Sequence, residues 1–154
     1  MAARWRLGAI GNVRPRVRDV EPQSQDEADE LGVRAMKKIL VIDDSPTVRQ
    51  QVGLALSQAG YQVVEAVDGM DAIGKVDASV SMLICDVNMP RMNGLEMLEK
   101  LRTDQRWKTL PVVMLTTEGQ PALIERAKKA GAKGWIIKPF KAELLVAAVQ
   151  RLTA

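Results

Sequence analysis

The 154-residue chain contains no histidine and a single cysteine, Cys85. Lack of imidazole removes the commonest general base and metal ligand, and a lone thiol excludes an internal disulfide framework and any Cys-rich zinc site. Aromatic residues make up only 3%: Trp5, Tyr61, Trp107, Trp135 and Phe140. So few rings argue against a base-stacking nucleic-acid module and leave the core to Val, Ile, Leu, Ala and Met. No apolar run reaches the roughly 18 residues needed to span a bilayer, and the Arg-rich N-terminus lacks the apolar stretch of a secretory signal. The chain therefore reads as soluble and cytoplasmic, with no membrane partner. Its chemistry falls to carboxylates, Lys, Thr or the backbone. What is present, 47% hydrophobic and 27% charged residues with 11 Gly and 7 Pro, is ordinary for one globular domain.

The formal net charge of +3 matters less than its distribution. Arg4, Arg6, Arg14, Arg16 and Arg18 stand in a stretch without acids, and Asp19, Glu21, Asp26, Glu27, Asp29 and Glu30 follow in a stretch without bases. With Pro15, Pro22 and no sustained apolar period, residues 1–36 read as a disordered leader. A basic arm for nucleic acid or membrane is the functional alternative, which the adjoining acidic run opposes. Met36 stands directly before the first strong strand, so a mis-assigned N-terminal extension is a third reading.

From Lys37 onward, strands and helices alternate. Ile39-Leu40-Val41-Ile42 is a short, continuous, mostly β-branched apolar run, as expected of a strand buried on both faces of a parallel sheet. Ser45 is a good N-cap and Pro46 a good first helical residue; Val48, Val52, Ala55, Leu56 and Ala59 then repeat at helical spacing until Gly60. The pattern predicts further strands over 63–67, 82–87, 111–116 and 134–137, and helices over 70–76, 95–102, 121–130 and 142–152. Strands alternating with helices imply an α/β fold, a doubly wound five-stranded parallel sheet with five flanking helices. Periodicity leaves the strand order open.

In such a sheet, ligands bind beyond the carboxyl ends of the strands. Polar residues fall at those ends: Asp43 and Asp44 after the first, Asp86 at the third, Thr116 and Thr117 at the fourth, Lys138 after the fifth. Taken singly, an Asp after a strand is commonly an N-cap, and a Lys before Pro is usually solvated surface. Taken together, they mark a site where the fold already places one. Carboxylates converging there repel by about 4 kcal/mol per pair at roughly 4 Å and an effective dielectric of roughly 20. A cation is therefore required, and oxygen-only ligands select a hard ion such as Mg²⁺, which recruits phosphate oxygens to complete its shell. Lys138 and Thr116 suit phosphoryl oxygens. Cys85 and the methionines read as packing.

The segments KKILVIDDSPTVRQ, LICDVNMPRMNGLEML, VVMLTTE and AGAKGWIIKPF resemble the response-regulator receiver domain of the CheY-like type, the phosphoacceptor of two-component signalling, over residues 37–154. The resemblance implies a flavodoxin-like strand order 2-1-3-4-5. It makes Asp86 the phosphoacceptor, and Asp43 and Asp44 the acidic pair that holds Mg²⁺ with Asp86 and the Asn88 backbone carbonyl. Thr116 and Lys138 become the phosphoryl-binding groups, Lys138-Pro139 a cis peptide, and Thr116 with Trp135 the switch. Asn88 and Glu118, each two residues beyond a site residue, flank the path of the water that resets the signal.

The implied function is that of a stand-alone regulator in chemotaxis or motility. A histidine kinase serves as donor, and a downstream target protein reads the face made by the fourth helix, fifth strand and fifth helix, where phosphorylation turns Trp135 inward. A phosphatase is an optional further partner, and direct nucleic-acid binding is not expected. The protein is then no enzyme in the usual sense, but a substrate that assists its own phosphorylation and dephosphorylation. One alternative is a phosphorelay intermediate that passes its phosphoryl group to a histidine phosphotransfer protein. Another is a haloacid-dehalogenase-like phosphatase, which would want Asp-x-Asp-x-Thr after the first strand instead of adjacent Asp43-Asp44. A flavodoxin-like FMN binder would want a Ser/Thr/Gly-rich loop where Asp43-Asp44-Ser45-Pro46 stands.

Overall fold

The structure, a computed structural model, describes residues 23–154. Helix α1 (Gln25–Ala35) leads into strand β1 (Lys38–Ile42), followed by α2 (Pro46–Gln58), β2 (Gln62–Ala66), α3 (Gly69–Lys75), β3 (Val80–Cys85) and α4 (Gly94–Arg102). A 3₁₀ turn (Gln105–Trp107), β4 (Val112–Thr116), α5 (Pro121–Lys129), β5 (Gly134–Ile137) and α6 (Ala142–Thr153) complete it. The strands form one parallel sheet in the order β2-β1-β3-β4-β5.

Continuous apolar runs conceal a period of two that the sheet reveals. Leu40, Ile42, Leu83, Cys85, Val112 and Met114 face one layer with Leu95, Leu98 and Leu101 of α4. Ile39, Val41, Met82, Ile84, Val113 and Leu115 face the other with Val52 and Leu56 of α2 and Leu145 and Val149 of α6. Local signals act as expected in the first βα unit: Ser45 Oγ accepts from Val48 N, Pro46 opens α2, and Gly60 leaves it at φ 98°.

Within residues 1–36, read above as a disordered leader, residues 25–35 form helix α1; residues 1–22 lie outside the described ones. Its start carries a capping signal, Ser24 with Glu27 three positions later, and Ser24 Oγ accepts from Glu27 N. The acidic run lies at the positive end of the helix dipole, and Arg34, paired with Glu30, at the negative end. Arg34 is buried, Gln62 Nε2 donates to the Ala35 carbonyl, and Leu31 and Arg34 both lie 3.7 Å from where a Cβ on Gly60 would stand. The helix thus covers the end of the sheet at which β1 and β2 begin. A chain starting at Met36 is expected to lose about 2 kcal/mol, from uncovering the surface that the half-buried Leu31 and the stem of Arg34 shield and from losing the bond between Gln62 and the Ala35 carbonyl. A urea titration would show this as a lower midpoint, while phosphorylation at the opposite end of the sheet stays unchanged.

Candidate functional site

The strand order reverses beside β1, which pairs with both β2 and β3. Ile42 pairs with Cys85, so Asp43 and Asp86 leave neighbouring strand ends side by side, where an open α/β sheet forms its crevice. The Asp86 amide donates to the Ile42 carbonyl at 2.9 Å and the Asp43 amide to the Ala66 carbonyl at 3.1 Å. These backbone bonds place the two carboxylates.

Asp43 and Asp86 are buried and Asp44 is exposed; one oxygen from each lies within 4.8 Å of the others. Among the described residues, this cluster could hold a metal ion. Its donors are all hard carboxylate oxygens, which fit Mg²⁺. Lys138 Nζ donates to Asp43 Oδ2 at 2.6 Å and lies 3.3 Å from Asp86 Oδ2. Burial raises the pKa of Asp43 above the ordinary carboxylate range despite the hydrogen bonds from Lys138 and the Ser45 amide. Burial opposes the charge on Lys138, yet its hydrogen bond to Asp43 and the neighbouring charges of Asp86 and Asp43 keep its pKa above the usual lysine value. Val87 N holds Asp86 Oδ1 at 2.7 Å, leaving Oδ2 as the oxygen facing Lys138.

Thr116, at the end of β4, is fully buried, and its hydroxyl accepts from Glu118 N at 3.2 Å. The Thr116 carbonyl takes the Lys138 amide at 2.9 Å, and the Lys138-Pro139 peptide is cis. Asn88 Nδ2 donates to Glu118 Oε1 at 2.7 Å, so both residues assigned to the water path touch across the mouth of the site. The Trp135 indole is buried, with Nε1 donating to the Glu118 carbonyl at 2.8 Å. Glu118 thus contacts Asn88, Thr116 and Trp135 at once. Ile137 at the end of β5 stays 47% exposed on the face expected to meet a target.

Three supports escaped the sequence reading. Arg49 Nη1 donates to the Asp43 carbonyl at 2.6 Å, Gly94 sits against the Asp86 carbonyl, and Arg91 pairs with Asp68. Only Gly94 had a visible signal, a glycine immediately after the N-cap Asn93 of α4.

The profile of the response regulator receiver domain matches residues 39–150. The chain belongs to this family. Chemotaxis protein CheY1 of Helicobacter pylori is 46% identical over 111 residues, 70% of this chain and 90% of that protein. A chemotaxis protein CheY homolog of Campylobacter jejuni is 40% identical over 111 residues, 70% of this chain and 85% of that protein. The solved structure of chemotaxis response regulator CheY4 of Vibrio cholerae matches with a TM-score of 0.71 and 42% identity, covering 76% of this chain and 98% of that one. Helix α1 lies outside the residues that match the receiver profile. Among the described residues, no helix is long and apolar enough to cross a membrane.

Proposed function

We propose that this receiver domain accepts a phosphoryl group on Asp86 from the phosphohistidine of a kinase, with Mg²⁺ bound, and signals by phosphorylation-dependent protein binding in the cytoplasm. The observation that carries the reading is the meeting of Asp86 Oδ2 with Lys138 inside a cluster of three carboxylates at the sheet's reversal point. Asp43, Asp44, Asp86 and the Asn88 carbonyl would hold the cation, which supplies charge neutralisation for phosphoryl transfer. In the transfer, Asp86 forms an oxygen–phosphorus bond as the donor's bond to phosphorus breaks, and the donor leaves with the bonding electrons. Lys138 and the Thr116 hydroxyl then bind phosphoryl oxygens. Glu118 carries the change to Trp135 and the face made by α5, β5 and α6. The chemotaxis relatives support a role in motility, and the polar pair Asn88 and Glu118 suits a briefly held signal. The test is incubation with acetyl phosphate and Mg²⁺: one base-labile phosphoryl group on the peptide containing Asp86 is expected, and labelling elsewhere would overturn the assignment.

Lys138 and a bound cation would share the Asp43 and Asp86 carboxylates, which gives Lys138→Met a two-sided effect. Removing the ammonium leaves Asp43 buried without its partner, so the Mg²⁺-free protein should lose about 2 kcal/mol, below the 3–5 of fully buried pairs because the lysine is partly exposed. Mg²⁺ affinity should hold or rise because a competing positive charge is gone, whereas Asp44→Asn should weaken it. Calorimetric titration with Mg²⁺ and melting curves with and without it distinguish the two roles. Equal loss of Mg²⁺ binding in both variants would show that they are not separate.

A further inference from the structure

We propose that Arg91 and Asp68 are positioning residues for the cation site, pinning the β3–α4 loop so that it presents the Asn88 carbonyl; the inference rests on the metal site proposed above. The ends of that loop are fixed by backbone bonds, Asp86 N to the Ile42 carbonyl and Gly94 N to the Val87 carbonyl, each 2.9 Å. Its middle has no regular structure. On one side it is held by the contact between Asn88 and Glu118.

On the other side stands Arg91, at the centre of a tight turn closed by Met92 N and the Pro90 carbonyl at 2.7 Å. Its φ of 64° is left-handed, a conformation glycine adopts freely and a long side chain does not. The side chain must therefore contribute something glycine cannot. Its Nε and Nη2 both reach Asp68 Oδ2, at 2.7 and 2.6 Å. The Asp68 side chain is only 4% exposed, and its Oδ1 accepts from Asp71 N at 2.9 Å. That backbone hydrogen bond first, and Arg91 second, hold its carboxyl below the usual range. An exposed ion pair would matter little, but here one partner is buried and already fixed as the cap of α3.

A second contact runs beside the first. Gly69 N donates to the Met92 carbonyl at 3.1 Å, and a Cβ on Gly69 would stand 2.7 Å from that same oxygen. The two loops therefore touch backbone to backbone. Two residues upstream of Asp68, the Ala66 carbonyl takes the Asp43 amide. The stretch 66–69 thus supports Asp43 at one end and the Asn88 loop at the other, and it sets the spacing between two cation ligands. Arg91 fastens the second of these.

The experiment measures Mg²⁺ binding by calorimetry, together with melting temperature, in the full chain and in Arg91→Gly, Arg91→Lys and Asp68→Asn. Asparagine caps a helix as well as aspartate, so Asp68→Asn removes the charge and keeps the cap. Arg91→Gly and Asp68→Asn should each weaken Mg²⁺ about tenfold, the lower end for a group acting through a ligand. Their combination should be no worse than either alone. Arg91→Lys, a point charge without the planar fork, should fall between. The Mg²⁺-free melting temperature of Arg91→Gly should change little, because the ease of glycine at that φ offsets the lost pairing with Asp68. Phosphorylation from acetyl phosphate should recover at saturating Mg²⁺, separating loss of metal affinity from loss of the reaction. Wild-type Mg²⁺ affinity in Arg91→Gly, or a loss that tracks a lower melting temperature, would overturn the positioning role. Failure of the unmodified chain to bind Mg²⁺ would instead remove the metal site, and this inference with it.

Discussion

Asp86→Asn should abolish phosphorylation while leaving the protein folded. Asparagine has nearly the same volume, and its oxygen can still accept from Val87 N, the bond that orients this side chain at 2.7 Å. The amide of residue 86 keeps its bond to the Ile42 carbonyl, and Lys138 keeps its closer partner, Asp43, at 2.6 Å. What disappears is the carboxylate oxygen that must bond to phosphorus, and a neutral amide offers no nucleophile to replace it. One negative charge also leaves a cluster whose oxygens lie within 4.8 Å of one another. The Mg²⁺-free protein should therefore be as stable as before or more so, by about 1 kcal/mol, since like charges at this range repel by a few kcal/mol before Lys138 offsets them. Mass spectrometry after treatment with acetyl phosphate, alongside a melting curve, checks both halves. A phosphoryl group on the folded variant would place the acceptor elsewhere.

The second large effect comes from a single methyl group. A Cβ on Gly94 would stand 1.9 Å from the Asp86 carbonyl oxygen, 2.9 Å from its carbon and 3.0 Å from Cys85 Sγ. Two of these atoms are backbone at the end of a central strand and cannot turn away as a side chain could. Gly94→Ala must therefore push α4 from β3 and break the bond from Gly94 N to the Val87 carbonyl. A loss of about 3 kcal/mol is expected, the upper end for overpacking, which lowers the melting temperature by roughly 10 °C in a domain of this size. Phosphorylation should fall further than stability explains, because Asp86 and Asn88 lie on the displaced backbone. Gly74 is the control: nothing lies within 4 Å of its Cβ position in α3, and Gly74→Ala should stabilise by about 0.5–1 kcal/mol through helix propensity. A harmless Gly94→Ala would mean that helix and strand do not meet this closely.

Both predictions turn on contacts between segments, and the same division separates what the sequence reading reached from what it did not. By itself the sequence determined the alternation of strands and helices, because apolar period, caps and breakers are local. Ser45-Pro46 opens α2 and Gly60 closes it whatever surrounds them. That these acids, Thr116 and Lys138 would meet was also legible, since they stand at strand ends and a parallel sheet gathers strand ends on one edge. The residues that support the site were not legible. Arg49, Arg91 and Asp68 look like ordinary surface charges until the fold brings Arg49 to the Asp43 carbonyl and sets Arg91, 23 positions away, on Asp68. The place of Trp135 on β5 is local, but only packing shows it buried with its indole held by Glu118. Helix α1 lies between these cases. Its cap was written in Ser24 and Glu27, yet a charge-rich segment of this length is marginal alone and persists because Arg34 and Leu31 find Gly60 across the turn that precedes β2. Local propensity proposes such elements; burial against the rest of the chain decides which of them stay and which side chains meet.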